Sequence, residues 1–274
     1  MNKKQNILHY VLNIITYIIV LGALFPVIWL LLTALKTKVE AFTMPPNWIF
    51  KPTFENFRQV LTESGFIDSY INSLIIVVGT VFLSLVLGVA GAYTLSRLKT
   101  KATRFAGVWI ILARMAPPIG FGIPLFLMFS ELNLLDSYLG LILTYMTITL
   151  PFVTWLMLGF LNGVPIEIEE ASRVDGCNRF QSLVRIIIPA VLPGIATCAI
   201  FSFIMAWNEF FYALILSGRD TQPVTIAVQG YISSAGLEWG PMSAAAILVI
   251  LPVLIFTIFA QKGLVQGLTQ GSSK

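Results

Sequence analysis

The chain has 274 residues, of which 57% are hydrophobic and 11% charged, with a formal net charge of +4. A soluble domain carries about 45–50% apolar and about 25% charged residues. The 30 charged side chains present cannot cover a body of this size, and a mean hydropathy of +0.86 excludes a soluble globular enzyme and a disordered chain alike. An all-α polytopic membrane protein is the class that remains.

A spanning helix needs about 20 apolar residues. Six runs of that kind follow one another, at about 11–35, 71–95, 105–129, 138–161, 186–216 and 241–259. The first is too long for a signal peptide and lacks a small-residue cleavage site, so it reads as a retained span. Lys and Arg in the short connections set the orientation. One side holds Lys3, Lys4, Arg97, Lys99, Lys101, Arg104, Arg173, Arg179, Arg185, Lys262 and Lys274. The other holds Lys36, Lys38, Lys51, Arg58 and Arg219, most of them in a long first connection diluted by Glu40, Glu55, Glu63 and Asp68. The bias places both termini in the cytoplasm.

The third run contains Ala113-Arg114-Met115-Ala116-Pro117-Pro118-Ile119-Gly120-Phe121-Gly122-Ile123-Pro124. Each proline removes an amide donor and clashes with the preceding turn, so this run cannot be one straight helix. Broken backbone at membrane depth is tolerated where it is buried in protein or lines a watery cavity. Arg114 falls roughly 13 Å from the cytoplasmic edge at 1.5 Å per residue. An intramembrane charge of this kind marks a solute pathway with Pro117 and Pro118, or else it binds carbonyls that the prolines release.

The fourth connection, 163–185, opens with Pro165 at a helix start and Glu167, Glu169 and Glu170 in the first turns, where the helix dipole favours carboxylates. Ile168, Ala171 and Val174 share one face, Gly176 breaks the helix, and a second apolar stripe begins at Phe180. Two short helices on the cytoplasmic surface suit either a protein-docking knob or a lipid-anchored interfacial segment. The acidic start disfavours the second, because anionic headgroups repel carboxylates. Near the outer end of the fifth run stand Trp207, Asn208 and Glu209. An aromatic beside an amide and a carboxylate fits a sugar, whose apolar face stacks on a ring while its hydroxyls hydrogen-bond. An interfacial aromatic belt has the same composition.

Cys177 sits in a polar stretch and Cys198 in an apolar one, so no disulfide is expected, and one His with two Cys makes no metal site. No basic stripe interleaved with aromatics points to nucleic acid. No G-x-x-x-x-G-K-[ST] loop occurs, so the chain carries no nucleotide site of that type.

Glu170-Ala171-Ser172, Gly176, Ile186, Ile188 and Pro189 resemble the Glu-Ala-Ala signature of the membrane subunits of binding-protein-dependent ABC importers: Glu-Ala-Ala, three residues, Gly, nine residues, Ile-x-Leu-Pro. The spacing matches throughout, with Ser172 in place of the second Ala and Ile188 in place of Leu. Asn72-Ser73-Leu74, Ala206-Trp207-Asn208-Glu209 and Leu264-Val265-Gln266-Gly267-Leu268-Thr269 resemble the carbohydrate-uptake, maltose-type branch. The resemblance implies six transmembrane helices forming a single importer domain over 1–274, in the bacterial inner membrane. It also implies a cytoplasmic coupling helix between the fourth and fifth spans, in which Glu170, Ala171, Ser172, Asp175, Gly176 and Pro189 serve ATPase coupling. The implied partners are a sister permease subunit, two ATPase subunits that carry ATP and Mg, an extracytoplasmic solute-binding protein and membrane lipid. The connection Ser217–Gly240 would then contact the binding protein through Tyr231, Ser233 and Ser234. An ion-coupled carrier would show paired intramembrane carboxylates or a carboxylate–His relay. An embedded enzyme would show a nucleophile, base or ligand cluster. Neither pattern is in the sequence.

Overall fold

The computed structural model describes residues 3–62, 65–115, 117–233 and 236–270. It is mainly helical. In chain order the helices are α1 (Lys3–Ala34), α2 (Lys38–Ala41), α3 (Glu55–Thr62), α4 (Phe66–Arg97), α5 (Lys101–Met115), α6 (Pro118–Glu131), α7 (Tyr138–Asn162), α8 (Ile166–Val174), α9 (Arg179–Ser182), α10 (Ile188–Ala190), α11 (Leu192–Trp207), α12 (Phe211–Leu216), α13 (Val224–Ala227) and α14 (Trp239–Gln270). A π-helical turn, Leu183–Ile187, joins α9 to α10. Strands β1 (Ile232–Ser233) and β2 (Gly236–Leu237) form a small antiparallel hairpin, with Ile232 opposite Leu237 and Ser233 opposite Gly236.

Among the described residues, four helical stretches are long and apolar enough to cross a membrane: Tyr10–Ala34, Phe66–Arg97, Tyr138–Asn162 and Trp239–Ile258. Two more candidates are bent pairs. The α5 and α6 pair meets at 100°, and the stretch Arg179–Ala190 meets α11 at 77°. Proline chemistry explains both bends. Pro117 is extended (φ −69°, ψ 127°) and Pro118 opens α6, while Pro193 sits in the first turn of α11 after the kink at Val191. The third run is thus broken as its prolines predict, and the fifth, read as one span over 186–216, is interrupted as well.

The chain divides into two compact units. Met1–Ile67 with Ala227–Leu251 forms the first. Here the Asn56 side-chain amide donates to Ala34 O and Lys36 O, both at 2.8 Å, closing the end of α1. The Lys36 ammonium lies over the rings of Trp29 (5.5 Å) and Phe50 (5.1 Å), a cation–π arrangement for a side chain only 4% exposed. Residues around the whole circumference of α1, among them Ile18, Leu21 and Phe25, are exposed. A helix apolar on every side belongs in lipid or against other membrane helices.

The second unit, Asp68–Ile226 with Pro252–Lys274, packs α4, α7 and α11 around Val89, Ala92, Val153, Met157, Leu161, Ile187, Val191 and Cys198. Lipid supplies no hydrophobic drive between helices, so close backbone approach and polar ties do more of the work. Gly88 meets the Val153 side chain and Gly194 meets the Phe160 ring, each closer than a Cβ would tolerate. The buried Ser84 and Thr149 hydroxyls hydrogen-bond across α4 and α7 at 2.6 Å.

Candidate functional site

Pro165 is the N-cap of α8, and Glu167 and Glu169 fill its first turn. Glu167, Glu170, Ala171 and Val174, at i, i+3, i+4 and i+7, are all exposed and make one outward face. Glu169 points the other way and is 7% exposed. Its Oε2 lies 2.9 Å from Arg97 Nε at the end of α4, and the Tyr93 hydroxyl donates to Oε1. Arg97 also donates through Nη2 to Val164 O at 3.2 Å and through Nη1 to Leu161 O at 3.4 Å. Ser96 donates to Asn162 Oδ1 at 2.7 Å, tying α4 to α7, and accepts from Arg97 Nη1 at 3.1 Å. A cleft of about 290 Å³ opens beside this cluster, lined also by Glu170, Arg173 and Arg179.

Two neighbouring glutamates therefore have different surroundings. Ser172 is buried too: it donates to Glu169 O at 2.7 Å, and its hydroxyl lies 2.6 Å from that of Ser182. It joins α8 to α9 and faces away from the outward surface. Asp175 caps α8, and Gly176 adopts φ +91° with open space beyond it. This left-handed turn reverses the chain, and an Asn178–Gln181 capping box then starts α9. Pro189 is exposed in α10.

Pro118 lines a cavity of about 510 Å³ with Trp109, Phe121, Thr147, Met205 and Tyr212, at the break between α5 and α6. Pro117 is exposed beside it. The Arg114 side chain lies outside the described part of the structure. Trp207 is 2% exposed, stacked on Phe203 at 5.5 Å and edge-on to Tyr70 at 5.4 Å, so both ring contacts are made within the subunit. Asn208 caps α11, donating to Ile204 O at 2.8 Å. Glu209 accepts from the Tyr212 and Ala213 amides at 3.1–3.2 Å and so opens α12. The chemistry that looked ready for a sugar terminates one helix and starts the next.

The connection after α12 is anchored at its start. Asp136 (φ +50°) accepts from the amides of Gly218 (2.9 Å), Asp220 (3.2 Å) and Thr221 (2.9 Å) and from the Thr221 hydroxyl (2.7 Å). Burial alone raises its pKa, but the Thr221 hydroxyl and the Asp220, Gly218 and Thr221 amides outweigh burial and hold the carboxyl below its ordinary value. Asn72 donates to Asp220 O at 3.1 Å and Gln222 O at 3.2 Å, and accepts from the Tyr138 hydroxyl at 2.6 Å. Ser73 accepts from the Val224 amide at 2.8 Å. Further along, Tyr231 is 7% exposed and Ile232 is 59% exposed. Any partner contact at this point is therefore offered by Ile232 rather than by the Tyr231 ring. Ser233 lies in β1, with its side chain outside the described part, and Ser234 is outside the described residues.

Residues 81–270 match the family model described as "Binding-protein-dependent transport system inner membrane component". The chain belongs to that family. Among its relatives, the diacetylchitobiose uptake system permease protein DasC of Streptomyces coelicolor is 35% identical over 265 residues, covering 96% of each chain. The trehalose transport system permease protein SugB of Mycobacterium tuberculosis is 33% identical over 259 residues, covering 92% of this chain and 93% of its own. A crystal structure of a bacterial ABC transporter involved in alginate import contains a chain with the same fold, at a TM-score of 0.80 and 24% identity, covering 96% of this chain and 98% of that one. This permease is thus a multi-pass inner-membrane transport component. Its Asn72-Ser73 pair, noted for resemblance alone, holds the start of the connection after α12. Tyr93 and Asp136 escaped the sequence reading, and Arg97 and Glu169 stand in it only as a cytoplasmic charge and a helix-start carboxylate.

Proposed function

We propose that this chain is one of two membrane subunits of an ATP-driven importer for a sugar, oligosaccharide or polyol. The whole chain, 1–274, acts as one membrane domain with six spans, the two bent pairs each counting as one, and with both termini in the cytoplasm. It forms half of the translocation pathway beside a sister permease. Two separate ATPase subunits bind ATP and Mg, and an extracytoplasmic binding protein delivers solute. The uptake systems named for its relatives support the carbohydrate class, and the cavity at the Pro117–Pro118 break supports a pathway wall at the third span.

The observation that carries the reading is the two-faced α8. Its inner face is fastened through Glu169 and Ser172, while its outer face presents Glu167, Glu170, Ala171 and Val174. A short helix held this firmly, with a carboxylate left free, is built to receive force from a basic cleft on a partner. ATP binding closes the ATPase pair, draws the two coupling helices together and opens the pathway outward. Glu170→Lys tests this reading. The variant inserts and assembles with its sister subunit, but ATP hydrolysis stimulated by the solute-loaded binding protein is abolished, because a charge-assisted contact is replaced by repulsion. Wild-type stimulated hydrolysis from an assembled Glu170→Lys complex refutes it.

A further inference from the structure

We propose that Arg97 is a positioning residue that fastens the coupling helix α8 to the corner where α4 and α7 end, so that motion imposed on α8 reaches both spans together. This rests on the reading of α8 as the coupling helix.

Between Asn162, the last residue of α7, and Ile166, the first of α8, lie only Gly163, Val164 and Pro165. Gly163 and Val164 bond back to Phe160 O and Leu161 O, so the hinge of this link is confined to the bonds between Val164 and Ile166. Left to itself it would let α8 tilt without moving α7. The Arg97 guanidinium removes that freedom at the hinge itself. Its planar fork reaches Glu169 on α8 through Nε and the carbonyls of Val164 and Leu161 through Nη2 and Nη1. One rigid group, itself on α4, thereby holds α8, the link and the end of α7.

Two features make this a lock rather than a surface contact. The paired side chains are only 11% and 10% exposed, so water competes little and each charge depends on the other. Glu169 is held from a second direction by the Tyr93 hydroxyl, one helical turn before Arg97. This is also the single ion pair among the described residues. Exposed ion pairs contribute little, whereas this one, among the described residues, is buried at the joint behind the outward face of α8.

The joint separates from the fold in a testable way. The Ser84–Thr149 hydrogen bond and the Gly88–Val153 approach hold α4 to α7 without Arg97. Removing the ion pair therefore loosens α8 from α4 and from the end of α7, leaving it tied to α9 through Ser172 and Ser182, while the α4–α7 packing stays in place. The isosteric Glu169→Gln is the lead variant, followed by Arg97→Gln and the reversed pair Arg97→Glu/Glu169→Arg.

The experiment uses the assembled importer on a Cys177→Ser/Cys198→Ala background. Spin labels at Val86→Cys on α4 and Ile168→Cys on the flank of α8 report the distance between the two elements, with and without ATP plus vanadate. In the parent this distance is the same in both states, because the elements move as one. In Glu169→Gln and Arg97→Gln it shifts on trapping, and in the reversed pair the shift persists, because a carboxylate at position 97 cannot donate to the Val164 and Leu161 carbonyls. A merely structural pair would change assembly yield and leave the distance alone. If neither single variant inserts, Arg97→Lys decides, since its one ammonium cannot serve Glu169 and Val164 together and a smaller shift is expected. A shift in the parent, or variants whose distance stays state-independent, overturns the proposal. A parent that binds no ATPase subunits overturns the coupling reading along with it; a parent that binds them while the variants behave normally overturns only the Arg97 link.

Discussion

Replacing Asp136 with Ala should release the start of the connection after α12. The carboxylate accepts four hydrogen bonds, at 2.7–3.2 Å, from Gly218, Asp220 and Thr221. A hydrogen bond to a charged group contributes about 1.5–3 kcal/mol. Asp136 is half-buried and Gly218 and Asp220 are exposed, so water replaces much of what is lost and the contributions overlap. A net local loss of about 3 kcal/mol is reasonable for the set, which corresponds to roughly a hundredfold rise in the open population at about 1.4 kcal/mol per decade. Exposed Arg219 lies within the anchored segment, and proteolysis of a transiently opened segment follows its open population. Trypsin cleavage after Arg219, followed from a C-terminal tag, should accelerate by about that factor in Asp136→Ala. Asp136→Asn should fall between. It keeps one acceptor oxygen and tolerates the left-handed backbone, but it places an amide donor opposite the Asp220 amide. Cleavage of Asp136→Ala at the parent rate would show that the anchor is supplied elsewhere and that the hydrogen-bond argument fails.

The same carboxyl predicts an acid limit. Its folded pKa lies below its unfolded value of about 3.9, so its contribution is complete above that value and is lost only as pH falls through the folded one. Protection of the Thr221 amide, measured against its intrinsic exchange rate at each pH, should stay constant from neutrality to about pH 4 and fall below it; loss of protection near neutral pH would contradict this. Gly88→Leu should push α4 from α7, because a Cβ alone would lie 2.6 Å from Val153 Cγ1; overpacking costs about 1–3 kcal/mol, read as a lower melting temperature in detergent. Gly159→Ala, which meets nothing within 4 Å, is its neutral control. Gly176→Ala has space for the methyl but places Ala at φ +91°, at about 1–2 kcal/mol, and should lower binding-protein-stimulated ATP hydrolysis more than expression.

The long apolar runs were legible because a bilayer imposes length and composition directly. Runs read at 138–161 and 11–35 correspond to helical stretches at Tyr138–Asn162 and Tyr10–Ala34. The third run announced its break through Pro117 and Pro118. The fifth carries Pro189 and Pro193 on either side of its kink, but the π-turn before them has no mark in the sequence. At the site, Glu169 and Glu170 are equivalent in sequence. Which one is buried depends on Arg97, 72 residues away, which reads in sequence only as another cytoplasmic charge. Asp136 is hidden for the same reason: its partners begin 82 residues later. Trp207, Asn208 and Glu209 show the opposite case. Their composition fits a sugar site, yet packing and helix capping occupy them first.

The central claim is that α8 docks on a separate ATPase subunit. A photocrosslinking amino acid at Val174, 88% exposed on the outward face, tests it directly in the complex expressed with its neighbouring open reading frames. The account predicts a crosslinked product with the mass of this chain plus one ATPase subunit, lost when Glu170 is replaced by Lys. Crosslinking to lipid alone, with the ATPase subunits present and active, would contradict it.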